Sequence, residues 1–207
     1  MTILSVDAIL GLFGGVGLSF SLWWILNHHL VPVIEFSEEL SRRPIDFDKQ
    51  PYRHQFAFKN AGTRSVINVR IKAKLLIVDP RKRGVQITNY FDIKLSSDDI
   101  FEMKPGVMLR MSPDIHMSES LDTPLIDSEL LMKLKSKEIT LDDIFDTYSD
   151  AKFYVQIIAT DIYSHATKVF QSKLYARSDV RNGVFRGAGL DITPYHSPTQ
   201  PWAELAN

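Results

Sequence analysis

Residues 66–78 read VINVRIKAKLLIV, and the alternation inside this stretch decides the fold. Val69, Ile71, Ala73 and Leu75 fall on one face of an extended chain; Asn68, Arg70, Lys72 and Lys74 fall on the other. A period of two marks a half-buried antiparallel strand, apolar towards a core and basic towards water. Just upstream, Gln55-Phe56-Ala57-Phe58 reads as another strand, and Asn60-Ala61-Gly62 supplies the turn between them. Downstream, 79–84 (DPRKRG) is a turn or short loop that leads into a further strand candidate over 85–95.

Working outward, 106–111 is short and strand-like. The segments 152–163 (KFYVQIIATDIY) and 167–175 (TKVFQSKLY) read as paired strands around a polar tip at Ser164-His165. Between these strands the spacing turns helical at 128–135 and again at 140–145. Ser128 is the expected cap of the first, and Thr140 with Asp143 three positions on forms a capping box for the second. Six to eight strands with one brief helical excursion describe a sandwich or barrel, and a body of about 160 residues buries one core between two sheets. The last 17 residues hold Pro194, Pro198 and Pro201 and read as a loose tail over 191–207.

The N-terminal region has a different texture. Residues 8–26 (AILGLFGGVGLSFSLWWIL) carry no charge. As a helix they would be about 28 Å long, against a hydrocarbon core of roughly 30 Å. Trp23 and Trp24 stand where an interfacial aromatic belt belongs, and Asn27-His28-His29 follow. A cleaved leader would open on basic residues and close on small ones. Here Asp7 precedes the segment and bulky Trp-Trp-Ile-Leu ends it, so we expect a retained anchor over 1–30. Arg42 and Arg43, the nearest basic residues, are expected beside the membrane and tip the body towards the cytoplasm. Gly11, Gly15 and Ser19 recur every four residues, a ridge of small side chains suited to helix association.

The chain of 207 residues has 24 Lys and Arg against 25 Asp and Glu, a net charge of −1. That balance argues against a nucleic-acid partner held by phosphate neutralisation. With no cysteine there is no disulfide framework, no CxxC zinc site and no thiol nucleophile. The six histidines show no metal-ligand spacing, and neither a P-loop nor G-x-S-x-G occurs. We therefore expect no metal, no cofactor and no enzymatic activity. The acidic pairs Asp98-Asp99 and Asp142-Asp143 read as caps, and Arg81-Lys82-Arg83 as a solvated turn.

From residue 33 onward the order of features resembles the cytoplasmic domain of inward-rectifier potassium channels. The matching pieces are Ile34-Glu35-Phe36-Ser37-Glu38, Phe58-Lys59-Asn60-Ala61-Gly62 and the strand running to Ala73-Lys74-Leu75-Leu76. Ile115-His116 followed by Thr123-Pro124-Leu125, and then 171–178 with its Ala-Arg-Ser ending, complete the likeness over about 33–187. The resemblance implies an immunoglobulin-like sandwich of E-set type over 31–190, on the cytoplasmic side, with a tendency to homo-oligomers. The chain departs from that family in having one span and no TVGYG filter between two spans, so it cannot conduct alone. The expectation is a single-span membrane protein whose sandwich is a non-enzymatic interaction or regulatory module, partnered by the bilayer and by copies of itself or another membrane protein. The alternative is an accessory subunit of a channel or transporter.

Overall fold

The computed structural model describes residues 6–28, 32–45, 50–79 and 87–194, with side chains over 11–24, 32–45, 50–78 and 88–194. The stretch at 66–78 becomes β4 (Val66–Asp79), the longest strand, and its faces are as the alternation predicts. Val69, Ile71, Ala73 and Leu75 are buried, while Asn68, Arg70 and Lys72 are exposed and Lys74 is half-buried. Val66 is buried too, three residues before Val69, which strict alternation forbids. A bulge resolves this: the pairing register shifts between Ile67 and Arg70, and Asn68 takes a φ of 50°. Asparagine accepts that left-handed conformation more readily than most residues.

Around β4 stand β5 (Ile87–Ile93), β6 (Asp99–Met103), β8 (Lys152–Asp161) and β9 (Thr167–Gln171). The order is β5-β4-β8-β9, with β6 also on β4, and every pairing is antiparallel. A second sheet holds β1 (Ile34–Phe36), β2 (Leu40–Pro44), β3 (Tyr52–Asn60), β7 (Met108–Met111) and β10 (Val180–Asn182). Its order is β1-β3-β2-β10, with β7 also on β3 and β10 parallel to β2. The architecture is thus mainly β and sandwich-like.

The turn at Asn60-Ala61-Gly62 does not close a hairpin, because β3 and β4 belong to different sheets. It is an arch, pinned by Asn60, whose Nδ2 donates to the carbonyls of Arg64 (2.8 Å) and Met103 (3.0 Å). The Ala61 and Gly62 N–H groups both donate to Val33 O, and a Cβ on Gly62 would come 2.9 Å from Val33 N. Glycine at 62 is therefore required by close approach. Phe56, Phe58, Leu75, Phe153 and Ile157 belong to one core cluster, all fully buried, with the Phe56 and Phe153 ring centres 6.1 Å apart.

The helical excursion forms α2 (Ser128–Ser136) and α3 (Leu141–Thr147). The cap of α2 is Asp127 rather than Ser128, its side chain accepting from Glu129 N–H at 2.8 Å. Ser128 is already inside the helix. The capping box of Thr140 and Asp143 is present as expected. The paired strands over 152–175 prove shorter on their second arm: β9 ends at Gln171, and Tyr175 returns as a single bridge to Phe153. Of the segments that carried the family likeness, Ile115-His116 lies in a 3₁₀ turn and 171–178 leads into another at Arg177–Asp179. Within the expected tail, β12 (Ile192–Thr193) pairs with β11 (Val184–Phe185); 195–207 lie outside the described residues. Residues 80–86, with the basic turn Arg81-Lys82-Arg83, also lie outside them.

The N-terminal segment is one helix, α1 (Val6–His28). Each of its described side chains, 11–24, is exposed. Among the described residues no helix is long and apolar enough to cross a membrane.

Candidate functional site

The most concentrated polar chemistry in the body lies at one end of the sandwich, around Asp142. This residue occupies the first turn of α3, beside the Asp143 that completes the capping box. Asp142 instead turns inward, with its side chain 9% exposed. Its Oδ1 accepts from His54 Nε2 at 3.1 Å and from Arg177 Nη1 at 2.5 Å, while Arg42 Nε lies 2.8 Å from Oδ2. Burial opposes the charge of this carboxylate. The hydrogen bond from His54 and the electrostatic pull of His54, Arg42 and Arg177 outweigh burial and hold the carboxyl below its ordinary range.

Strand pairing sets up these contacts. In the antiparallel register of β2 on β3, Arg42 stands opposite His54, so two polar groups from adjacent strands rise side by side at the sheet's end. Arg42 also lays its guanidinium 3.8 Å from the Tyr52 ring centre, a cation–π contact that fixes its direction. Arg177 reaches from the 3₁₀ turn before β10 and bridges Asp142 to Asp146 at 2.9 Å. Alongside, Lys133 of α2 donates to Asp143 at 2.8 Å. A cleft of about 410 Å³ opens over this end, lined by Arg42, Tyr52, Lys133, Asp143, Asp146 and Arg177. Each cation at its wall already holds a carboxylate. The arrangement ties α3, β2, β3 and the 3₁₀ turn together.

The residues singled out in the sequence fall in two places. Gly11, Gly15 and Ser19 lie along one face of α1, and a Cβ placed on Gly11 or Gly15 would meet nothing within 4 Å. Trp23 and Trp24 follow on the same helix, each with Phe20 near its ring, at 5.8 and 6.2 Å. Arg42 and Arg43 stand on β2, the first absorbed into the Asp142 cluster and the second opposite Arg53. The reading of Asp142-Asp143 as caps holds for Asp143 and is corrected for Asp142. Asp98 and Asp99 cap no helix either: the Asp98 carbonyl accepts from Ile71 N–H, and Asp99 begins β6. Sequence reasoning missed His54 and Arg177 as partners of Asp142, from which they stand 88 and 35 positions away. No local spacing signals such a meeting.

No family model matches the chain, and no curated protein matches it. Among solved structures, the sporulation control protein Spo0M from Bacillus subtilis is similar at 13% identity and a TM-score of 0.30. The match covers 70% of this chain and 48% of that one, so the chain spans about half of that protein's length. A likeness this distant carries no argument about what the chain does.

Proposed function

We propose that this chain is a single-span membrane protein that holds a β-sandwich at the membrane face as a non-enzymatic interaction or regulatory module. The observation that carries the reading is α1: an uncharged helical stretch whose described side chains are exposed on every face. Leu12, Phe13, Val16, Leu18, Phe20 and Leu22 are each more than half exposed, which in water would be a severe apolar liability. A bilayer removes that cost, and the uncharged sequence extends over 8–26. The open ridge of Gly11, Gly15 and Ser19 fits close approach of a second copy of the helix. The body sits in the cytoplasm, on the strength of Arg42 and Arg43 as the nearest basic residues.

The finer classification belongs to the same proposal. An E-set immunoglobulin-like domain akin to the cytoplasmic part of inward-rectifier channels rests on the quoted sequence pieces around Phe36, Asn60 and Leu75. Crosslinking in native membranes tests the assembly. Wild type should give a ladder of oligomers that Gly15→Ile shortens while the sandwich stays folded. The same ladder for both chains would move association away from the helix.

A further inference from the structure

A second polar constellation gathers around His116. Gln50, just before β3, sends its Nε2 to two acceptor positions: Ile139 O, between α2 and α3, at 2.7 Å, and His116 Nδ1, in the 3₁₀ turn after β7, at 3.0 Å. An amide nitrogen donates and cannot accept. The His116 Nδ1 must therefore be a bare lone pair, which assigns this ring as the neutral Nε2–H tautomer. Turning the amide over does not relieve this, since it would set the Gln50 carbonyl oxygen against Ile139 O. Gln50 can bridge the two elements only while His116 is neutral.

We propose that Gln50 and His116 form a proton-sensitive latch that joins the helical excursion to the sandwich and releases on acidification. When His116 takes a second proton, its Nδ1–H faces the Gln50 N–H group, and one of the two bonds must be given up. His116 shares a cavity of about 10 Å³, room for roughly one water, with Arg53 and His54 of β3 and with Asp114 of its own turn. His54 is bound to Asp142 on its far side and keeps the upper cluster closed. The latch is thus distinct from the Asp142 cluster, and it draws on a side chain that is half-buried and within reach of solvent protons.

The test is nuclear magnetic resonance on the full chain in lipid nanodiscs, with the histidine rings and glutamine side-chain amides labelled. At about pH 8, His116 should show the Nε2–H tautomer, and the Gln50 amide should be protected from exchange. On lowering the pH through the His116 titration, the protection of the Gln50 amide, its exchange rate taken relative to the intrinsic rate at the same pH, should fall about tenfold with the same midpoint. In Gln50→Ala the His116 titration should lose its coupling to the Ile139 amide region. A His116 ring in the Nδ1–H tautomer at pH 8, or a Gln50 amide indifferent to its titration, would overturn the proposal.

Discussion

Ile71 and Lys72 are neighbours that face opposite environments, and they provide a direct test of the alternation. Ile71 is 2% exposed inside the core, whereas Lys72 faces water. Ile71→Asp buries a carboxylate without a partner and should unfold the body. Lys72→Asp should change stability by less than about 0.5 kcal/mol. Thermal unfolding of the two variants decides the matter; equal tolerance would mean the faces of β4 are reversed. Asp142 makes a second test at this scale. Asp142→Asn leaves the partly exposed Arg42 and Arg177 facing a neutral group, and should cost about 1.5 kcal/mol. Because its folded carboxyl titrates below the unfolded value, its contribution is present above about pH 4 and is lost as pH falls through the folded value. The acid limb of the wild-type stability curve should therefore be steeper than that of Asp142→Asn. Parallel limbs would mean Asp142 is not the group that titrates there.

Among the elements, legibility in the sequence followed locality. β4 and the β8–β9 pair were readable because alternation acts within a few residues, and the Thr140–Asp143 capping box because its partners are three apart. β10 at Val180–Asn182 was not, since a three-residue strand with exposed Arg181 and Asn182 exists only through its parallel pairing with β2. The arch at Asn60–Gly62 reads locally like a hairpin turn; what sends β4 to the other sheet is the distant contact of Val33 and Met103 with that turn. The Asp142 cluster was opaque for the same reason. Thr140→Ala removes the cap hydroxyl of α3 and should cost about 1 kcal/mol by thermal unfolding, with the Asp142 ties weakened in step. On α1, Leu18→Arg should cost about 2.5–3.5 kcal/mol of insertion free energy, read as the fraction of chain inserted in a translocation assay. Unchanged insertion would place Leu18 outside any hydrocarbon.

At the scale of the whole molecule, the exposed apolar helix α1 contrasts with a body built around one buried core. The sandwich core carries a run of aromatic contacts: Phe58 to Phe56 along β3, Phe56 to Phe153 across the sheets, and Phe153 to its bridge partner Tyr175. Burial pushes the Tyr175 phenol up to about 12 against the hydrogen bonds it makes, and its hydroxyl donates to Ser37 O at 2.5 Å, binding the chain after β9 to the end of β1. Under the proposed function, a bilayer covers the exposed apolar side chains of α1. The decisive measurement is fractionation of cells expressing the full chain, with membranes washed in alkaline carbonate and then probed with protease on sealed vesicles of known orientation. The account predicts the intact 23.6 kDa chain in the washed pellet, with the sandwich digested only from the cytoplasmic side. Recovery of the chain in the carbonate supernatant, or as a shortened soluble form beginning near residue 30, would contradict it.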